Sequence, residues 1–147
     1  MRCHAKCRLY RLKKRPLNVI LDSNALFVPL EFKIDIFEEL GLLLNRKIEF
    51  VLLSTVKREL DMLTAKKSPK IRREAIFALK LAEKCKYVPV ENDEKLTTDD
   101  AIVKVAKKWN SPVFTNDRQL KKKLRDISVP VIYVRQKSRL YIDGMIS

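Results

Sequence analysis

The stretch Asn18-Val19-Ile20-Leu21-Asp22-Ser23-Asn24 decides the fold. Residues 18–21 form a short, continuous run without polar alternation, the pattern of a strand covered on both faces and therefore of a parallel sheet between helical layers. Asp22 closes the run and is the first acid of the chain. In open α/β sheets ligands gather beyond the carboxyl ends of the strands, so a carboxylate at this point is placed to hold something positive.

Working outward, short apolar runs alternate with helical periodicity. Ile34, Phe37, Leu40, Leu43 and Leu44 follow one helical face, interrupted by Gly41. Residues 50–53 predict a second strand, after which Ser54 or Thr55 supplies an N-cap for a helix through Glu59 and Leu63. Ser68-Pro69 opens a helix to about residue 85, with Pro69 suited to the first turn. Residues 87–90 form a strand that Pro89 places at a sheet edge. Thr97 or Thr98 caps a helix bearing Ile102, Val105, Ala106 and Trp109, residues 112–115 form the next strand, and Leu120 and Leu124 lie on the helix after it. Residues 129–134 make the fifth strand. The alternation predicts a three-layer α/β fold with a largely parallel sheet.

The 147 residues suffice for one domain, expected over residues 17–147 behind a basic N-terminal arm of residues 1–16. No apolar stretch approaches the roughly 20 residues that span a bilayer, and the N-terminus lacks a signal-peptide core, so a cytoplasmic protein without a membrane partner is expected. Cys3, Cys7 and Cys85 are odd in number and suggest no disulfide framework. Cys3, His4 and Cys7 offer too few ligands for a structural zinc site.

Scarcity narrows the chemistry further. Gly41 and Gly144 are the only glycines, too few for a phosphate-binding glycine loop or a dinucleotide fingerprint. His4 is the sole histidine and lies outside any expected core, which removes imidazole-based nucleophilic schemes. Carboxylates and a metal are the chemistry that remains. The formal net charge of +14 is concentrated in Arg11, Lys13, Lys14 and Arg15 of the arm and in Arg118, Lys121, Lys122, Lys123 and Arg125. Such clusters attract polyanions and release counterions on contact, which favours nucleic acid.

Three further acids share the surroundings of Asp22. Asp117 follows the fourth strand, Asp100 stands in the first turn of the helix before it, and Glu59 rides one turn into the helix after the second strand. Each has an ordinary reading as well: Asp22 as an Asx-turn, Asp117 as a helix cap, and Asp99 or Asp100 as part of a capping box with Thr97. Ionised carboxylates crowded at one edge resist ionisation unless a cation joins them, and Mg²⁺ or Mn²⁺ with hard oxygen ligands resolves that conflict. Such a centre suits phosphodiester hydrolysis.

The motifs Leu21-Asp22-Ser23-Asn24, Ser54 through Leu60 with Glu59, Asp99-Asp100-Ala101-Ile102 and Thr115-Asn116-Asp117-Arg118 together resemble those of the PIN-domain nucleases, from about residue 18 to 134. The resemblance implies a Rossmann-like α/β/α fold with a five-stranded, largely parallel sheet and a Mg²⁺- or Mn²⁺-dependent endoribonuclease cleaving single-stranded RNA. It assigns catalytic roles to Asp22, Glu59, Asp100 and Asp117. Asp22, Asp100 and Asp117 hold the metal, supported by Ser23, Asn24, Thr115 and Asp99. RNA contacts fall to Arg118, Lys121, Lys122 and Arg125 and to Arg11, Lys13, Lys14 and Arg15.

The stretch from Thr115 to Arg125 is similar to the small-subunit rRNA-processing branch, which makes rRNA the expected partner. Three alternatives stay open. One is a VapC-type toxin with an antitoxin, working as a homodimer; another is a non-catalytic RNA-binding module with a ribosome-assembly partner. A structure-specific DNA nuclease ranks last, since the chain lacks room for the extra arch of such enzymes.

Overall fold

A computed structural model describes residues 16–136 and 138–146. The arm residues Arg11, Lys13, Lys14 and Arg15, the Cys3, His4 and Cys7 group, and Lys137 lie outside the described residues. Strand β1 (Leu17–Leu21) is central, flanked in parallel by β2 (Ile48–Leu53) and β4 (Val113–Phe114). β3 (Lys86–Val88) forms one edge beside β2, as Pro89 predicts. β5 (Val131–Arg135) runs parallel to β4, and β6 (Arg139–Asp143) returns antiparallel beside it.

The order is β3-β2-β1-β4-β5-β6, one strand more than the five expected. The sixth is short and begins and ends on charged residues, which hides it among the surrounding loop residues in the sequence. After β3 the chain crosses back to place β4 beside β1. This reversal is the topological switch point at which open α/β sheets form a crevice.

Among the described residues six α-helices join the strands: α1 (Ser23–Phe32), α2 (Ile36–Leu44), α3 (Ser54–Leu63), α4 (Pro69–Ala82), α5 (Thr98–Trp109) and α6 (Arg118–Asp126). Sequence periodicity does not reveal α1, because its apolar residues do not confine themselves to one stripe and Pro29 lies inside it. Pro29 deprives the helix of one backbone hydrogen bond. Lys33 ends α1 in the left-handed region at φ 59°. Asp35 then starts α2 by accepting from the amides of Phe37 and Glu38, so the helix expected from residue 34 begins two residues later.

Ser68 and Thr97 cap α4 and α5 through their hydroxyls, and Pro69 occupies the first turn of α4. The expected cap of α3 is corrected. Leu53 holds the N-cap position without a side-chain bond, while the Ser54 hydroxyl accepts from Val90 N at 2.9 Å and ties the exit of β3 to that of β2.

Val19, Ile20 and Leu21 are all fully buried, and successive strand residues point to opposite faces, so both sheet faces are covered. Leu26, Leu40, Leu60, Ile102, Leu120 and Leu124 supply the helical share of the core. Each such side chain contributes roughly 1.5–3 kcal/mol on burial. Among the described residues no helix is long and apolar enough to cross a membrane.

Replacing Leu120, fully buried beneath α6, by Ala is expected to cost about 2–5 kcal/mol in chemical denaturation. The same change at Leu42, which is 69% exposed, is expected to cost no more than about 0.5 kcal/mol.

Candidate active site

Asp22 leaves β1 at the switch point and becomes the N-cap of α1. Its Oδ1 accepts from Ser23 N at 2.7 Å. Its Oδ2 accepts from the Thr115 hydroxyl at 2.8 Å and the Asn24 amide at 3.1 Å. The side chain is buried, and that burial pushes its pKa up to about 6; the bonds from Thr115 and Ser23 N pull it down, and the negative fields of Glu59 and Asp99 raise it further. A carboxylate kept partly protonated near neutrality by its setting gains most from a cation.

Thr115, fully buried at the exit of β4, is the second fixed point. Its Oγ1 accepts from Asp117 N at 3.1 Å and from the Asn24 amide at 3.3 Å while donating to Asp22. Asp117 caps α6 through Oδ1, which accepts from Gln119 N at 2.9 Å. Asn116 between them locks the loop from both sides. Its N–H donates to Asn24 Oδ1 at 3.0 Å, and its own Oδ1 accepts from Val134 N at 2.9 Å. Neither bond of Asn116 follows from sequence, since both partners are remote in the chain.

Glu59 is held by hydroxyls from two other helices. Oε1 accepts from Ser23 Oγ at 2.8 Å and Oε2 from Thr98 Oγ1 at 2.7 Å. Thr98 is a site residue that sequence reading sees only as a candidate cap. The capping role goes to Thr97, which accepts from Asp100 N at 3.1 Å, and this frees the next hydroxyl to turn towards Glu59.

The structure separates the two successive acids of α5. Asp99 is half-buried and lies in the field of Asp117, Glu59 and Asp100, with Lys123 opposing them. Burial, then these acids, raise its pKa. Asp100 is exposed. Asp99, expected only in support, is therefore the acid of α5 whose field reaches Asp22, whereas Asp100 stands beside it one residue further round the helix. A step of about 100° per residue separates the two directions.

These donors are hard oxygens at the end of a parallel sheet, and Asp22 and Asp99 resist ionisation in this shared setting. That set fits Mg²⁺ or Mn²⁺, which take one or two carboxylates and fill their remaining positions with water and substrate phosphate. Among the described residues no three His, Cys, Asp or Glu side chains stand together so as to hold a metal ion by themselves, so one or two of these carboxylates would share the ion with water and phosphate. A groove of about 510 Å³, lined in part by Asn24, Phe27, Leu63, Ile71 and Asn116, opens beside the site.

Of the basic residues expected to grip RNA, Arg118 and Lys122 are exposed on α6. Lys121 and Arg125 are partly engaged by Asp143, at 3.9 and 3.4 Å. Arg125 also donates to Val129 O at 3.3 Å. Lys123 is the cation whose charge is felt by Asp99.

Comparison with known proteins accords with this geometry. A family model described as a PIN-like domain matches residues 19–137. Ribonuclease VapC4 of Methanocaldococcus jannaschii is 36% identical over 129 residues, covering 87% of this chain and 98% of the relative. Ribonuclease VapC9 of Archaeoglobus fulgidus is 32% identical over 94 residues, covering 64% and 67%. Among solved structures, that of the PIN domain endonuclease Utp24 superposes with a TM-score of 0.76 at 27% identity, covering 89% of this chain and 94% of that one. VapBC2 from Rickettsia felis, at a TM-score of 0.53 and 16% identity over 72% and 92% of the two chains, shares the fold. With four acidic motifs in sequence, carboxylates at the switch point and a family match over most of its length, the chain belongs to the PIN-domain ribonucleases.

Proposed function

We propose that this chain is a divalent-metal-dependent endoribonuclease cutting single-stranded RNA, with Asp22, Asp117 and Asp99 as the principal metal-holding acids. The observation that carries the reading is the carboxylate group at the β1–β4 crevice, in which burial and neighbouring acids oppose the ionisation of Asp22. A divalent cation bound there supplies charge neutralisation and Lewis acidity towards a phosphodiester and eases deprotonation of water. Glu59, held on both oxygens, is the positioning acid that orients water and keeps α1, α3 and α5 in register. Asp100 acts from the outer side of the site. Arg118, Lys122 and Lys123 draw the phosphate backbone towards it, and the arm with Arg11, Lys13, Lys14 and Arg15 adds a further cationic segment.

The reading includes action in the cytoplasm, with rRNA as the leading target on the resemblance of residues 115–125 and the likeness to the Utp24 structure. A toxin of a toxin–antitoxin pair is the second reading, favoured by relatives named VapC, one of them matched over nearly its whole length. In that reading an antitoxin partner and a homodimer are expected.

The assay is cleavage of an unstructured RNA with Mn²⁺. Asp22→Asn should lose at least about a hundredfold in rate, as removal of a principal electrostatic group does; cleavage equal to the unsubstituted protein would reject the assignment. Asp99→Asn is expected to lower the rate more than Asp100→Asn, and the opposite ranking would return the inner position to Asp100. Thr98→Val, which frees one oxygen of Glu59, should cost about tenfold, with Thr98→Ser restoring most of it.

The raised pKa sets the sign of a pH effect. The folded Asp22 value of about 6 lies above the ordinary 3.8, so between those values the folded state holds more protons. Stability of the metal-free protein therefore falls as pH rises through that window, by about 3 kcal/mol from this group alone. A cation binds the ionised form, so Mn²⁺ should raise the melting temperature more at about pH 7.5 than at about pH 5. Equal shifts at both pH values would contradict the cation's dependence on Asp22.

A further inference from the structure

The sheet edge formed by β5 and β6 carries side chains that the carboxylate site does not use. Tyr133 and Tyr141 are register partners, so their rings stand on one face, with centroids 6.1 Å apart and planes at 29°. Lys121 reaches from α6 to place Nζ 3.6 Å from the Tyr133 centroid, and the Arg135 guanidinium lies 5.5 Å from that of Tyr141. Arg135 and Arg139 are register partners on the same face, and both are exposed.

Charge on this face is divided unevenly. Among the described residues of the hairpin its one acid, Asp143, sits at the far end, paired with Lys121 and Arg125. Neither Arg135 nor Arg139 pairs with an acid among the described residues, and both lie at the end of β5 that points with the exits of β1 and β4. That end is tied to the catalytic loop, because Val134 N donates to Asn116 Oδ1 and Asn116 N donates to Asn24 Oδ1. Among the described residues no strand pairs with β6 on its outer side, and Tyr133 and Tyr141 are both partly exposed.

A stacked tyrosine pair strengthens a hairpin, and that alone would explain the two rings. It does not explain why two guanidinium groups, Arg135 over the Tyr141 ring and the exposed Arg139, gather beside them at this end of the sheet. Aromatic faces interleaved with cations are the recognition chemistry of single-stranded nucleic acid, in which bases stack on rings and basic groups follow the backbone. Three strand spacings, roughly 15 Å, separate β6 from β1, within reach of a short single strand lying across the sheet edge.

We propose that Tyr141, flanked by Arg135 and Arg139, is a stacking subsite for a base of the single-stranded RNA on one side of its cleavage position. The subsite rests on the ribonuclease reading above. It adds a second anchoring point at which any base can stack.

The test is binding of a fluorescein-labelled, unstructured RNA of about 12 nucleotides to the full chain in EDTA, followed by anisotropy across a salt series. Tyr141→Ala should weaken binding about tenfold, while Tyr141→Phe, which keeps the ring, should stay within about twofold. Arg135→Gln with Arg139→Gln should flatten the slope of log affinity against log salt by about 0.7 for each phosphate no longer neutralised. Unchanged affinity in Tyr141→Ala, or equal losses in the Ala and Phe variants, would overturn the proposal. Should Tyr141→Ala unfold, the Arg pair decides: an unchanged salt slope overturns it equally. RNA cleavage in Mn²⁺ by the unsubstituted protein with no Tyr141 effect on affinity would sink the subsite alone. Tyr141-dependent binding without any cleavage would sink the enzymatic reading and keep the stacking surface.

Discussion

One hydroxyl holds the two halves of the crevice together. Thr115 Oγ1 donates to Asp22, accepts from the amide of Asp117 and accepts from Asn24, all within 3.3 Å. It thereby fixes the acid that ends β1 relative to the acid that follows β4. Because Thr115 is fully buried, its hydroxyl has no water with which to exchange these partners, and losing one would leave a buried polar group unpaired. The switch point between β1 and β4 supplies the opening, and the hydroxyl sets its width.

The constraint matters because the groups it holds repel one another. Asp22, Glu59 and Asp99 share one local field within a chain that carries an excess of positive charge elsewhere. Glu59 is quietened by two hydroxyl donors, Asp22 by a hydroxyl, an amide side chain and a backbone N–H, and Asp99 in part by Lys123. Neutral donors steady the carboxylates without neutralising them. Their repulsion is therefore eased but not removed, while Arg118 and Lys122 of the basic helix stay exposed on the surface.

Much of this was legible because burial on two faces leaves a plain mark. The runs at Val19 to Leu21 and Phe50 to Leu53 are apolar without alternation, and both are strands with no polar face. Helix α1 was hidden by Pro29 and by apolar residues distributed around its circumference, and β6 by the charged residues at its ends. The acids at strand exits were legible from their place after apolar runs. The partial burial of Asp99 and the exposure of Asp100 were not, because spacing along a chain does not fix the rotation of a helix about its axis. That rotation is settled by packing, with Ala101 and Ile102 buried and Thr98 turned to Glu59. Thr98 and Asn116 escaped notice for a related reason: their partners are distant in sequence and unite only in the folded chain.

Asp22 and Asp117 each begin a helix as well as a site. Asparagine is about as good an N-cap as aspartate, but at Asp22 its NH2 group would face Thr115 and Asn24, which both donate to Oδ2. The start of α6, where Asp117 accepts from Gln119 N, thus tolerates an exchange that the start of α1 resists. A descendant of this sequence can therefore lose the acid that opens α6 in a single codon step and keep the helix start. The two acids, alike as helix caps, are unequal in what their neighbours allow to replace them.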